Sequence, residues 1–257
     1  MSQKISYSQK GLFKLFERII RSHPLIYLII RNFIRYTNIF EDDAKGVKYI
    51  KFDKSKINLI DIGASDGVSI NYFKKNLNIN KCFCFEPNIN FVKILKKRKF
   101  INMKIYSYGL GKKGRKKIYI PYYKIFGNVF YLNTYAFYDK NELLKQIELD
   151  FFLKKNMSIK ESVIQINKMP EINSSIDLIK IDVNGNEYEI ILNIKKIINK
   201  NKPALIVENS KNINKIIKNL KKTNYKVFYF CSDRNLFIQK RNAKTLNYYF
   251  LQEKHLK

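Results

Sequence analysis

The sequence has few cysteines and no long apolar run near its start. Its three cysteines are an odd number without the paired spacing of a disulfide framework, which favours a reducing compartment such as the cytoplasm. The most apolar N-terminal stretch, SHPLIYLII, places only nine residues between Arg21 and Arg31, whereas a membrane-spanning helix needs about 20. The start of the chain also lacks a signal-peptide pattern. We therefore predict a cytoplasmic protein.

Acidic residues are scarce: the sequence has 21 acidic and 50 basic residues, which gives a net charge of +29. Such an excess raises nucleic acid or an anionic membrane as partners. However, the sequence contains no zinc-finger or RNP-type motif, and its lysines are spread along the chain. Of the basic residues 42 are lysines, and Lys, Asn and Ile are all encoded by A/T-rich codons. We therefore expect no specific nucleic-acid partner.

The N-terminal region, residues 1–50, predicts a helical cap on the main domain. The segment from Leu12 to Tyr36 has the pattern of two short amphipathic helices, broken at Pro24. The same segment carries five basic residues, Lys14, Arg18, Arg21, Arg31 and Arg35. A second interpretation is therefore a peripheral contact of these basic helices with an anionic membrane.

Residues 51–257 alternate between strand and helix patterns. Apolar segments such as KINLIDIG, KCFCFEP, IDLIKIDV and PALIVEN predict strands, and SINYFKKNL, INFVKILKKRK and INKIIKNLKKTN predict helices. This order is typical of an α/β fold with a mainly parallel sheet and helices on both faces. We predict one seven-stranded domain in which the last strand is antiparallel. LFIQK and LNYYFLQ are expected to pair with each other at its end.

An aromatic-rich insertion at about 121–175 interrupts the alternation. Eight aromatic residues lie within 17 positions: Tyr122, Tyr123, Phe126, Phe130, Tyr131, Tyr135, Phe137 and Tyr138. Such a group predicts either a satellite hydrophobic core or a lid over a substrate, since aromatic faces suit sugar rings. The sequence leaves both interpretations open.

The segment NLIDIGASDGVSINYF contains the most informative turn. A strand that runs into a glycine-rich turn and a helix leaves backbone N–H groups unpaired at the helix start. Gly63 and Gly67 indicate either a plain tight turn or one that a ligand approaches closely. The pattern D-x-G-A-x-x-G lacks the second glycine of the dinucleotide fingerprint, so a pyrophosphate fits poorly. A ligand with a cationic amino group would suit Asp61 and Asp66.

Acidic residues end four of the predicted strands. Asp61 and Glu86 end the first two, and Asp182 and Glu208 end DLIKID and ALIVE. In open α/β sheets the ligand lies beyond the carboxyl ends of the strands, and an acid after the second strand accepts hydrogen bonds from a ribose diol. Both NAD and S-adenosylmethionine proteins share this arrangement.

In order, LIDIGASDG, CFEPN, YGLG, DLIKIDVNGNEYEIIL and PALIVEN resemble the motifs of the FkbM family of S-adenosylmethionine-dependent methyltransferases. The resemblance spans about residues 58–210. It implies a Rossmann-like enzyme that uses S-adenosyl-L-methionine to O-methylate a hydroxyl of a sugar, glycan or related metabolite. We expect the cofactor to be held by Asp61, Gly63, Ala64, Ser65, Asp66, Gly67, Glu86, Pro87, Tyr108 and Gly109.

The sequence departs from the family pattern where D-V-E-G is usual, because Asn184 replaces the glutamate. If that glutamate carries the chemistry, the chain is a degenerate, non-catalytic cofactor-binding or partner module, which is the alternative function. For an active enzyme, Asp182 is the first candidate base, although it can also cap the following helix. Glu208 is the second candidate. Two carboxylates without histidine make a weak metal site, and no metal is expected. His255 near the C-terminus is expected at the surface.

Overall fold

A computed structural model describes residues 42–98, 100, 102–150, 157–239, 243 and 245–256, together with Ile26, Ile29 and Phe33. These three residues are helical and exposed, and the rest of the two predicted N-terminal helices lies outside the described residues. The chain divides into two compact units, one of Met1–Thr37 with Lys117–Ser162 and one of Asn38–Lys116 with Val163–Lys257. Among the described residues, none of the helices combines the length and apolar character needed to cross a bilayer.

Twelve strands are found within the described residues. In chain order they are β1 (Ile57–Ile62), β2 (Ile79–Phe85), β3 (Met103–Tyr106), β4 (Gly109–Leu110), β5 (Gly114–Ile125), β6 (Asn128–Tyr131), β7 (Met157–Asn167), β8 (Leu178–Ile181), β9 (Ala204–Glu208), β10 (Lys226–Cys231), β11 (Leu236–Ile238) and β12 (Asn247–Leu251). The α-helices are α1 (Val68–Asn76), α2 (Ile89–Lys97), α3 (Lys140–Asp150), α4 (Glu187–Asn193), α5 (Lys195–Asn201) and α6 (Ile213–Lys221). Short 3-10 helices cover Asp42–Tyr49, Asn133–Tyr135 and Glu253–His255.

The larger unit is built on an eight-stranded sheet in the order β11-β10-β12-β9-β8-β1-β2-β3. The central strands β3, β2, β1, β8 and β9 are parallel, and β12 is antiparallel to both of its neighbours. All six residues of β1 are buried, as expected for a parallel strand that is covered on both faces. One apolar cluster includes residues of α4, α5 and α6, and a second includes residues of α1, α2 and the first 3-10 helix. The predicted α/β fold is thus confirmed.

Two details of the sheet differ from the prediction. LFIQK and LNYYFLQ do not pair with each other, because β12 lies between β9 and β10, and β11 pairs with the other side of β10. The short strand β11 is an eighth strand at this edge. Strand order depends on tertiary packing, so two adjacent strand patterns do not by themselves predict a hairpin.

In the smaller unit, β5 and β6 form an antiparallel hairpin in which Tyr122 is opposite Tyr131. A small apolar core lies within this unit. Its buried members are Tyr123, Leu132, Tyr135, Leu143 and Ile147. Part of the aromatic-rich segment therefore builds a satellite core, which is the first of the two interpretations of the insertion.

His255 is buried, contrary to the expectation of a surface residue. Only 3% of it is exposed, and its Nδ1 accepts a hydrogen bond from the backbone N–H of Gln252 at 3.1 Å. Burial lowers the pKa of His255 to about 4. The physical reason is the 3-10 helix that follows β12, since its capping box directs the imidazole back toward the backbone.

Candidate active site

The glycine-rich turn between β1 and α1 brings two strand ends into direct contact. Gly63 has a φ of 82°, and its N–H donates to the carbonyl oxygen of Phe85 at 2.9 Å. A Cβ atom at this position would overlap the carbonyl oxygen of Asp182. Gly67, with a φ of 80°, caps the N-terminus of α1. The turn therefore needs glycine at position 63 both for its backbone conformation and for the close approach of Asp182.

Asp61 lies at the centre of the sheet and is fully buried. Its Oδ2 accepts a hydrogen bond from the Ser69 hydroxyl at 2.6 Å, and its Oδ1 lies 3.8 Å from Nζ of Lys180. No described residue donates a hydrogen bond to Oδ1. Burial raises the pKa of Asp61, and the charge of Lys180 and the Ser69 hydrogen bond lower it. Asp61 thus needs the nearby ammonium group to remain charged.

Glu86, which directly follows β2, connects the glycine-rich turn to the start of α2. One carboxylate oxygen accepts the backbone N–H of Ser65 at 2.8 Å, and the other accepts that of Asn88 at 2.7 Å. Asn88 in turn caps α2 by accepting the N–H of Asn90. Burial raises the pKa of Glu86 to about 7, although both backbone hydrogen bonds lower it.

Asp182 and Glu208 lie next to each other at the ends of the parallel strands β8 and β9. Asp182 accepts a hydrogen bond from Nζ of Lys180 at 2.9 Å, and its side chain is 31% exposed. Burial and the charge of Asp182 raise the pKa of Glu208 well above its ordinary value, and a protonated Glu208 can share a hydrogen bond with Asp182. The pair therefore combines an accessible carboxylate with a buried carboxyl group that favours its neutral form.

The turn after Asp182 explains the asparagine that departs from the family pattern. Asn184 has a φ of 56°, a left-handed conformation in which asparagine is several-fold enriched among non-glycine residues. Its backbone N–H donates to Glu208 at 3.3 Å, and the N–H of Gly185 donates to Glu187 at 2.8 Å. Glu187 is fully buried at the start of α4. Backbone N–H groups of this turn therefore hold the two neighbouring carboxylates.

Of the remaining predicted cofactor-binding residues, Ala64, Asp66 and Pro87 lie in the same turn or directly after β2, whereas Tyr108 and Gly109 follow β3. Ala64 and Asp66 are almost fully buried, and the charge of Asp66 helps to raise the pKa of Glu86. Pro87 follows Glu86 directly. Tyr108 is part of an aromatic group, with its ring 6.0 Å from Phe85 and 5.7 Å from Tyr106. Gly109 begins β4, where it is opposite Ile166 of β7.

These residues fit a cofactor that carries a ribose and a cationic group. Each carboxylate oxygen has two lone pairs, so Glu86 keeps acceptor capacity for two ribose hydroxyl groups after its backbone hydrogen bonds. Asp61, whose Oδ1 accepts no hydrogen bond from the described residues, and Asp182 supply negative charge for a cation. Among the described residues, no group of three or more His, Cys, Asp or Glu side chains is arranged to hold a metal ion.

Four features together define a Rossmann-like methyltransferase. They are the order of the strands in the sheet, the glycine turn after β1, the acid after β2, and the acids at the ends of β8 and β9. A model of the methyltransferase FkbM domain matches residues 61–227. The chain belongs to this family. No functionally curated protein matches the sequence.

Three solved structures illustrate the similarity to known proteins. The methyltransferase FkbM from Methylobacillus flagellatus KT is 14% identical, with 76% of this chain and 44% of that chain covered and a TM-score of 0.47. A precorrin-6y C5,15-methyltransferase from Geobacter metallireducens GS-15 is 10% identical (84% and 89% covered, TM-score 0.39). TrmK of M. capricolum in complex with S-adenosyl-homocysteine is 11% identical (86% and 72% covered, TM-score 0.40). The chain thus spans less than half the length of the Methylobacillus protein.

The structure adds residues that the sequence motifs did not indicate. Ser69 and Lys180 both contact Asp61, and Asn88 contacts Glu86. Lys180 could have been noticed, because it is a charged residue inside the otherwise apolar strand LIKI. A lysine is almost never fully buried unless it is paired, so its position predicts an acidic partner on a neighbouring strand.

Proposed function

We propose that this protein is an S-adenosylmethionine-dependent O-methyltransferase that acts on a hydroxyl of a sugar, glycan or related metabolite. The observation that carries the proposal is the pair of neighbouring acids, Asp182 and Glu208, at the ends of the parallel strands β8 and β9. This pair lies beside the glycine turn, because the carbonyl oxygen of Asp182 is next to Gly63. Methyl transfer to a neutral hydroxyl releases a proton, and an accessible carboxylate can accept it.

The cofactor would supply an activated methyl group on a cationic sulfur. We expect Glu86 to bind its ribose and the turn at Ala64 and Ser65 to approach it closely. Asp182 would hold the acceptor hydroxyl in line with the methyl group and accept its proton as the new carbon–oxygen bond forms. Positioning of this kind supplies much of the rate enhancement in such displacements.

Glu208 supports the choice of Asp182 as the base. Since burial and the neighbouring charge favour the neutral form of Glu208, it can donate a hydrogen bond to Asp182. Lys180 also donates to Asp182. The two hydrogen bonds hold the carboxylate in place, while its exposed fraction leaves access for an acceptor.

The first experiment measures turnover and identifies the acceptor class. Glycans and small metabolites from cells with and without the gene are compared by mass spectrometry for a loss of about 14 Da, the mass of one methylene group. Asp182→Asn should reduce methylation by about 100-fold or more, as expected for the loss of a general base. Glu189→Asn, which changes an exposed carboxylate, is the matched control. Normal methylation in Asp182→Asn cells would exclude Asp182 as the base.

The second candidate function is a non-catalytic, cofactor-binding module. Asn184, at the position where the family usually has glutamate, is the observation that favours it. The variant Asn184→Glu separates the two functions. If the wild-type protein binds the cofactor but methylates nothing and Asn184→Glu creates turnover, the chain is a degenerate member. If the wild type turns over and Asn184→Glu does not improve it, the side chain at 184 is not required.

A further inference from the structure

Lys180 is an almost fully buried lysine that contacts two carboxylates on two different strands. Its side chain is 3% exposed. In the parallel pairing of β1 and β8, residue 180 is opposite Asp61, and Nζ lies 3.8 Å from Asp61 Oδ1. The same Nζ donates a hydrogen bond to Asp182 at 2.9 Å. One ammonium group therefore joins the buried acid of β1 to the accessible acid after β8.

The charges of this group do not cancel. Two carboxylates and one ammonium group leave one unit of negative charge, which is exposed only on the Asp182 side. Other acids lie nearby: Glu86, after β2, interacts with Asp61 and with Asp66 of the β1 turn. Glu208, at the end of β9, interacts with Asp182, Lys180 and Glu187 of α4. Burial raises the pKa values of Asp61, Glu86 and Glu208.

Lys180 affects acids on both sides of the site. Its positive charge lowers the pKa of Asp61 and also that of Glu208. Without a cation at this position, buried carboxylates would take up protons at neutral pH rather than remain charged. Lys180 therefore favours the charged form of Asp61, with which it pairs across β1 and β8.

We propose that Lys180 is a positioning residue that holds the group it forms with Asp61 and Asp182 at one net negative charge, so that the preference of the site for a cationic sulfonium cofactor over its neutral thioether product does not change with pH. The inference rests on the proposed function, because it takes S-adenosylmethionine as the cofactor. S-adenosylmethionine and S-adenosylhomocysteine share the ribose, the base and the amino acid group. They differ in the methyl group and in the charge on sulfur, so the ratio of their affinities reports the charge that the site presents.

The test measures both ligands by calorimetry at pH 6, 7 and 8. In the wild type the ratio should favour S-adenosylmethionine and change little with pH. In Lys180→Met two carboxylates remain without their ammonium group, so the ratio should exceed the wild-type ratio by about tenfold at pH 8, since one charge at a partly buried site has an effect of this order. It should fall toward the wild-type ratio at pH 6, as one carboxylate takes up a proton. Lys180→Arg keeps the charge and should restore the wild-type ratio. Lys104→Met, which removes an exposed lysine of β3, should leave it unchanged.

If Lys180→Met does not fold, Asp61→Asn provides the measurement, because it keeps the ion pair of Lys180 with Asp182 and removes one negative charge from the group. The group is then neutral, so the ratio should fall by about tenfold at every pH. Equal weakening of both ligands, with an unchanged ratio at every pH, would overturn the inference and leave Lys180 a purely structural role. A wild-type protein that binds neither ligand would instead contradict the proposed function.

Discussion

The carbonyl oxygen of Asp182 occupies the space into which a side chain at Gly63 would have to project. The turn after β1 and the strand end that supplies the candidate base are therefore in van der Waals contact. Any residue other than glycine would push the Asp182 backbone away from the cofactor turn. The same contact fixes the distance between the glycine turn after β1 and the end of β8.

We expect Gly63→Ala to destabilise the protein and to disturb the site. The left-handed backbone conformation costs alanine about 1–2 kcal/mol. The added Cβ would also collide with the Asp182 backbone, so the free energy of unfolding should decrease by more than about 2 kcal/mol. Denaturant unfolding measures the loss. Gly127→Ala is the matched control, since its φ is 77° and no atom lies within 4 Å of the added Cβ. Equal losses in both variants would show that the contact with Asp182 contributes nothing.

Glu86→Ala should weaken S-adenosylmethionine binding by about 1–3 kcal/mol, the range for lost buried hydrogen bonds. We propose that the charged form of Glu86 accepts hydrogen bonds from both ribose hydroxyls, and burial raises its pKa to about 7. The affinity of the wild type should therefore rise as the pH increases from 6 to 8. Calorimetry on Glu86→Gln should show weaker binding that depends less on pH, whereas Glu189→Gln should behave as the wild type. Tight binding of NAD would contradict the assignment of the site.

The burial of His255 predicts that the protein is less stable at acidic pH. Burial lowers its pKa to about 4, whereas an unfolded chain has the ordinary value near 6.5. Between these values the unfolded state binds more protons, so the free energy of unfolding should decrease as the pH falls from about 6.5 to 4. The loss should be on the order of 2–3 kcal/mol. His255→Gln should be less stable at pH 7 but should lose less on acidification, and an unchanged pH slope in this variant would refute the assignment.

Single variants of two tyrosines, Tyr131 and Tyr135, test whether the aromatic insertion is a satellite core or also a lid. Tyr135 is buried in the small core of its unit, whereas Tyr131 is partly exposed and lies beneath the Lys160 ammonium group, 4.9 Å from its ring centroid. Tyr135→Ala should mainly lower the melting temperature. If the insertion also acts as a lid, Tyr131→Ala should reduce kcat/KM for the acceptor by about 1 kcal/mol or more in transition-state terms without weakening cofactor binding. Unchanged acceptor kinetics in folded Tyr131→Ala would leave the segment a structural role only.

The sequence predicted the parts of the fold that depend on local patterns. The order of strands and helices, the glycine turn and the acids after β1, β2, β8 and β9 could be located, because each depends on neighbouring residues. The position of β12 between β9 and β10 and the burial of His255 could not, since both depend on packing between distant segments. Lys180 was missed for a related reason: its partners come from its own strand end and from a strand more than 100 residues earlier.

The burial of Lys180 also predicts two different responses to ionic strength. Most of the 50 basic side chains of the sequence are expected at the surface, where salt at physiological concentration screens interactions beyond about 8 Å. The side chains of Lys180 and Asp61 are 3% and 0% exposed, and salt screens buried pairs much less than surface pairs, so their interaction should persist in concentrated salt. Weak attraction of polyanions to the surface should therefore disappear as salt is added, while recognition of a sulfonium ion at the strand ends persists.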